Sequence, residues 1–210
     1  MFPLQTVLFP GQTIPLVVFE PRYRQLVREC LDEGEPFGII LIREGVEVGG
    51  PAVPHPVGTT ARIRDVSRLP DGRLRVEAIG ERRFRILALF DDRPYLSAEV
   101  EFPVDDPGDP SVDQLEEARE RYRQVVRLRD VAAGEFQRSI EAPATPRGLA
   151  DAVGSLGLGA PIERQRLLDA MDGPRQVRIA TELLGQALEA MHAQAADAVA
   201  ARYGSTARLN

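Results

Sequence analysis

The stretch RLPDGRLRVEAIGERRFRI, residues 68–86, decides the fold of the first half of the chain. Apolar and polar residues alternate on both sides of Pro70-Asp71-Gly72, a pattern typical of a β-hairpin. The residues Ile79-Gly80-Glu81 interrupt the second run, so we predict one strand at 73–79 and another at 83–90. With a further alternating run at 58–67, three adjacent antiparallel strands are expected here.

Arginine recurs at alternate positions of these strands, and residues two apart share one face of a strand. The pattern predicts six arginines on one outer face: Arg62, Arg64, Arg73, Arg75, Arg83 and Arg85. One hypothesis is a surface for anions or RNA. The other is the solvated side of a half-buried sheet, with acids such as Glu77 as cross-strand partners. We favour the second, because the arginine side carries no stacking aromatic residues and the net charge is −6.

Short apolar runs fill the rest of the first half, with strands predicted at 3–9, 13–19, 37–42 and 95–102. One helix is predicted at 21–34, because Pro21 suits a first helical turn and Gly34 suits a C-terminal cap. We therefore predict that residues 1–104 form a small, mostly antiparallel β-barrel or curled sheet with one early helix.

The second half is predicted to be helical. The segment VDDPGDPS has a linker composition, and we place the linker at 105–111. Ser111 and Gln114 fit a capping box, and Pro146, Pro161 and Pro174 each suit a first helical turn. An α-helical bundle of four helices is expected at 112–204, with a tail at 205–210. The predicted fold class is α+β.

The composition argues against enzymatic chemistry. All 26 basic residues are arginine, so no Schiff-base lysine and no phosphate-binding P-loop lysine exists in these 210 residues. His55, His192 and Cys30 are too few for a metal site of histidine and cysteine, and no nucleophile elbow or dinucleotide motif occurs. We predict a non-catalytic protein without catalytic residues, metal or cofactor. The lone Cys30 and the lack of a long apolar run predict a cytoplasmic protein that does not enter a membrane.

The N-terminal stretch LFPGQTIPLVVFEPRY, residues 8–23, is the second candidate site. Phe9, Phe19 and Tyr23 beside prolines such as Pro10 are the residue types that line an apolar groove for an extended peptide. The alternative is a pair of core strands with a proline at the sheet edge.

Three segments in this order resemble the N-terminal, substrate-binding domain of Lon proteases. They are PLQTVLFPGQTIPLVVFEPRY (3–23), VGTTARIRDVSRLPDGRLRVEAIGERRFRI (57–86) and the helical region 147–188. The resemblance implies a PUA-like β-rich domain followed by a helical bundle. In Lon, these parts capture unfolded or degron-bearing proteins and help to hold the hexamer together.

Lon chains continue into an ATPase and a protease with a Ser-Lys dyad, and this sequence stops before both. The resemblance therefore implies a non-catalytic module whose partner is polypeptide: unfolded segments, degrons, or a protease or chaperone. Two alternatives remain open. One is an RNA-binding PUA-like module that uses the arginine face. The other is a homo-oligomer formed through the long final helix.

Overall fold

The computed structural model describes residues 1–50, 52–104, 108–135 and 139–204, with side chains through Ala195 in the last helix. Twelve elements follow one another along the chain. They are β1 (Phe2–Leu4), β2 (Thr13–Val18), α1 (Pro21–Glu33), β3 (Phe37–Gly45), β4 (Ala52–Pro54), β5 (Val57–Arg68), β6 (Leu74–Phe90), β7 (Ser97–Glu101), α2 (Val112–Ala133), α3 (Pro146–Ser155), α4 (Pro161–Leu168) and α5 (Gly173–Gly204). The predicted tail at 205–210 and the first part of the predicted linker, 105–107, lie outside the described residues.

The seven strands form one mixed sheet rather than a closed barrel. Its main path is β1-β3-β5-β6-β2, while β4 pairs with β3 and β7 pairs with β6. The β1–β3 pair is parallel and the other pairs are antiparallel. Since no pairing joins β1 to β2 within the described residues, both are edge strands. The curled-sheet prediction therefore stands in a coarser form, as an open mixed sheet.

The Pro70-Asp71-Gly72 turn forms as predicted. The amide of Leu69 donates to the Arg73 carbonyl at 2.8 Å, and the Gly72 amide donates to Leu69 at 2.9 Å. Gly72 has φ of 81°, a left-handed conformation that glycine adopts without steric cost. This hairpin joins β5 to β6.

The predicted break at Gly80 is wrong, because β6 runs unbroken for 17 residues from Leu74 to Phe90. Gly80 instead gives room to a neighbouring segment: a Cβ there would collide with the backbone carbonyl of Phe9. The Gly80 amide donates to Gln12 at 2.9 Å, and its carbonyl accepts from Gly11 at 2.8 Å. The glycine therefore marks a close backbone approach and not a turn.

The four C-terminal helices contact one another, and three of them have a proline in the first turn, as predicted. Pro146 and Pro161 are the first residues of α3 and α4, and Pro174 is the second residue of α5. The hydroxyl oxygen of Ser111 accepts from the Gln114 amide at 3.2 Å and caps α2. Within the part of the chain that is described, no helix is both long and apolar enough to cross a membrane.

The sheet and the helices share a hydrophobic core. Val7, Phe9, Leu41 and Val57 from the first half are buried together with the inner faces of α2 to α5. The Phe9 ring lies directly on Gly154 of α3, where even a Cβ would collide with it. A second cluster packs α1 against the sheet through residues such as Leu26 and Val76. The β-rich and helical parts are consequently joined by packing as well as by the chain.

Candidate functional site

An apolar groove lies between the two edge strands of the sheet. Its volume is about 240 Å³. The residues that line it come from β1, β2, the start of α1 and the segment after β3: Phe2, Leu4, Pro15, Leu16, Val17, Val18, Phe19, Glu20, Tyr23, Glu47 and Val48. Two of the predicted peptide-binding residues, Phe19 and Tyr23, are thus brought together here.

Tyr23 forms the rigid floor of this groove. Its ring stacks on Phe2, with centroids 4.0 Å apart and planes inclined by 12°. The guanidinium of Arg22 lies 4.6 Å from the Tyr23 ring centroid and is also paired with Glu20 at 2.9 Å. Burial raises the pKa of the Tyr23 phenol. The tyrosine therefore stays neutral at physiological pH.

The walls of the groove expose apolar side chains. Val17 is 47% exposed, Phe19 44% and Val48 53%. The segment that carries Val48 is tied to the end of β1, because the Gln5 amide donates to the Glu47 carboxylate at 2.9 Å. The valines in the Glu- and Gly-rich stretch EGVEVGG are the sequence signal for this wall, which was not predicted.

The β2 edge can also offer backbone groups to an extended chain. The Gln12 carbonyl accepts from the Gly80 amide, and every second residue of an antiparallel strand bonds to the same neighbour. The backbone amides and carbonyls of Ile14, Leu16 and Val18 therefore point towards β6. The backbone groups of Val17 and the carbonyl of Pro15 then point to the open side. Pro15 is tolerated because it needs no amide partner at that position.

The other two predicted peptide-binding residues lie elsewhere. Phe9 is 0% exposed and packs against α3, so in this structure it is a core residue of the sheet–helix junction. Pro10 follows it in the turn where the Gln12 amide donates to the Phe9 carbonyl at 3.1 Å. Neither residue lines the groove. The alternative for this stretch was a pair of core strands with a proline at the sheet edge. Phe9 fits its core part, and Pro15, on the edge strand β2, fits its edge part.

Five of the six predicted arginines lie on two strands, not three, and Arg73 lies in the turn just before β6. The six form no continuous cationic face. Arg62 pairs with Glu81 at 2.5 Å, Arg73 with Asp71 at 2.7 Å and Arg85 with Glu101 at 3.0 Å. Hydrogen bonding to Glu81 raises the pKa of Arg62. Arg64 and Arg75 are exposed and have no carboxylate within 4 Å among the described residues. The ion pairs neutralise most of the predicted surface.

Arg83 departs most from the prediction, since helices cover its face of the sheet. It is 5% exposed and pairs with Asp151 of α3. Its Nη1 also donates to the carbonyls of Leu168 at 3.0 Å and Ala170 at 3.1 Å. Burial lowers the pKa of Arg83 and raises that of Asp151, while each charge opposes the shift of the other. Arg83 therefore fastens β6 to α3 and to the end of α4.

The described residues contain no cluster of three or more histidines, cysteines or acids that could hold a metal ion. Cys30 lies half-buried on α1, and burial raises the pKa of its thiol. The site geometry offers apolar contact and backbone hydrogen bonds, which are the means of binding an extended chain rather than of activating a nucleophile.

The chain matches the model of the ATP-dependent protease La (LON) substrate-binding domain over residues 1–186. It is 26% identical over 189 residues to Lon protease of Methylocella silvestris, covering 88% of this chain and 23% of that protein. It is 29% identical over 176 residues to Lon protease of Paraburkholderia phytofirmans, covering 79% of this chain and 21% of that protein.

Solved structures show the same likeness. A Lon N-terminal domain protein from Xanthomonas campestris superimposes with a TM-score of 0.63 at 29% identity, covering 84% of this chain and 92% of that one. The N-terminal domain of Mycobacterium avium complex Lon protease gives a TM-score of 0.65 at 20% identity, covering 87% and 96%, and shows the shared fold.

The open mixed sheet with its attached helices thus has the fold of these Lon N-terminal domains. The chain belongs to the Lon substrate-binding domain family, as the resemblance in its sequence indicated. It spans about a quarter of the length of the Lon proteases it matches, and no catalytic domain is evident in it.

Proposed function

We propose that this protein is a non-catalytic module that binds polypeptide, and that the groove between β1 and β2 receives an extended apolar segment. The observation that carries the proposal is the gathering of exposed Val17, Phe19 and Val48 around a rigid Tyr23 at an open strand edge. The bound segment lies along β2, forms backbone hydrogen bonds with Val17 and inserts an apolar side chain beside Tyr23.

The family supports this assignment coarsely, because its domain model is described as substrate-binding. An apolar groove suits unfolded chains, whose exposed apolar residues are hidden in folded proteins. RNA binding is the less favoured function, since Arg62, Arg73 and Arg85 are engaged by acids and Arg83 is buried.

Fluorescence anisotropy with a labelled, reduced and carboxymethylated unfolded protein tests the proposal. Replacing Val17 and Phe19 together by serine removes two apolar contacts, each worth about 1.5 kcal/mol or more when fully buried. We expect the affinity to fall at least ~10-fold. Leu89→Ser is the matched control, since Leu89 is 46% exposed on β6 away from the groove; it should bind like the wild type.

Equal affinity of the Val17/Phe19 variant and the Leu89 variant would contradict the proposal. Repeating the binding titrations at two salt concentrations separates polypeptide binding from RNA binding. The affinity for an apolar chain should persist at the higher salt concentration, whereas the affinity for RNA should fall steeply. Binding of a labelled RNA that is lost on replacing Arg64 and Arg75 would favour the RNA hypothesis.

Self-association stays a second prediction. The shared core means that removing residues 111–210 exposes Val7 and Phe9, so a truncated chain does not test it. Sedimentation of the full chain over a range of concentrations measures the oligomeric state directly.

A further inference from the structure

A second groove, beside α1, combines an apolar floor with a cationic rim. It lies between α1 and the β5–β6 hairpin and has a volume of about 290 Å³. Its floor is made by Val27, Leu31, Val66 and Leu74, and its rim by Arg24, Arg28 and Arg68, with Gly72 at the turn.

The rim carries three positive charges and no acid. Among the described residues, no carboxylate lies within 4 Å of the guanidinium of Arg24, Arg28 or Arg68. Asp71, in the adjoining turn, is already paired with Arg73 at 2.7 Å, and neither Asp32 nor Glu33 of α1 lines the groove. The groove is therefore locally positive on a protein whose net charge is −6.

Arg24 is held in place before any ligand arrives. Its Nη2 donates to the Gly72 carbonyl at 3.0 Å, which joins α1 to the hairpin turn, and its Nε is buried without an acceptor. A fixed guanidinium loses less conformational entropy on binding a carboxylate than a free one. Arg28 and Arg68 are exposed and can close on a ligand from either side.

The floor distinguishes this groove from a surface for nucleic acid. It contains no aromatic ring on which a base could stack, and stacking supplies much of the affinity for single strands. It instead exposes Leu31, which is 52% accessible, beside Val66 and Leu74. Charge complementarity together with apolar contact fits a ligand that is acidic and carries an apolar side chain.

We propose that this groove, defined by Arg24, Arg28, Arg68 and Leu31, binds an acidic polypeptide segment that contains an apolar residue. The carboxylates of the segment pair with the three arginines, and its apolar side chain lies on Leu31 and Leu74. The site is separate from the β1–β2 groove, so the protein has one site for apolar chains and another for acidic ones.

The experiment measures anisotropy of a short labelled peptide of glutamates around one central leucine, with the full chain at low salt. Arg28→Glu and Arg68→Glu should each weaken binding about fivefold, since each loses one exposed ion pair and adds a like-charge contact. Replacing the central leucine of the peptide by serine should also weaken it. Rising salt should reduce the affinity, because these pairs are solvent-exposed.

Arg75→Glu is the matched control. Arg75 is exposed and without a carboxylate partner, and it lies on the same strand as Leu74 but on the opposite face of the sheet, beside Val17 and Ser67. It should leave the affinity for the acidic peptide unchanged. Circular dichroism verifies that all three variants are folded.

The proposal is overturned if the wild type does not bind the acidic peptide, or if Arg75→Glu weakens binding as much as Arg28→Glu and Arg68→Glu. The Val17/Phe19 variant distinguishes the two sites. It should no longer bind the unfolded protein but should still bind the acidic peptide, so a negative result at one groove does not decide the result at the other.

Discussion

Replacing Asp151 by asparagine should be among the most damaging conservative changes in this protein. Asp151 is the only acid paired with Arg83 in the described part of the chain, and the Arg83 side chain is almost fully buried. Asparagine keeps the shape and can still accept a hydrogen bond, but it removes the ion-pair partner of Arg83 and leaves the smaller influence of Asp169 on the guanidinium charge. The fold then holds a buried cation between sheet and helices that has lost its direct partner.

The expected cost follows from the burial of this pair. Breaking a buried ion pair by removing one partner typically costs about 3–5 kcal/mol. Arg85 and Glu101 form a comparable pair on the same strand, 3.0 Å apart, but both side chains are nearly half exposed. Because exposed pairs contribute about 1 kcal/mol or less, Arg85→Met is the control and should change stability little.

Urea unfolding followed by circular dichroism measures these free energies. Arg83→Met should also cost about 3–5 kcal/mol, since it removes the buried ion-pair partner of Asp151 and the donor to the Leu168 and Ala170 carbonyls. The double variant Arg83→Met with Asp151→Asn removes both charges, so its loss should be well below the sum of the two single losses. The reasoning is refuted if Asp151→Asn costs less than about 1 kcal/mol or if the two changes simply add.

Three further predictions concern packing, backbone and pH. Gly154→Ala should destabilise the protein by about 1–3 kcal/mol by overpacking Phe9, and Phe9→Leu in the same chain should recover part of the loss; a cycle of unfolding free energies measures the coupling. Gly72→Ala should cost about 1 kcal/mol because of its positive φ alone, since a Cβ there would meet open space; thermal melts of the variant and the wild type measure the loss. Burial lowers the pKa of the Met1 ammonium from 8.0 to about 6. The neutral amine is therefore favoured on folding, so up to about 2–3 kcal/mol of stability is present above pH 8 and is lost as pH falls through 6. Unfolding of N-terminally acetylated protein should lack that dependence.

Local signals in the sequence predicted the parts of the fold that depend on neighbouring residues. Pro70-Asp71-Gly72 predicts its hairpin because the turn type is set by those residues, and Pro146 and Pro161 predict helix starts for the same reason. Tyr23 and Phe19 were also found as groove residues, since aromatic residues beside a proline-rich edge are visible locally.

The errors concern residues whose role is set by distant partners. Gly80 looks like a break, but its purpose is to admit the Phe9 carbonyl from a segment that is far away in sequence. Arg83 alternates with exposed arginines, and only the packing of α3 and α4 shows that its face is covered. Val48 lines the groove because Glu47 is fastened to Gln5, a contact that no local pattern reports.

The unbroken strand β6 has a mechanical consequence. Its first part pairs with β2 from Val18–Leu74 to Thr13–Ile79, beside the apolar groove, and its later part carries Arg83 into the helices. If a captured chain is pulled along the direction of β2, the hydrogen bonds between β2 and β6 are loaded in shear. They then bear the force together instead of breaking one after another. Tension at the groove is then delivered along a single backbone to α3 and α4.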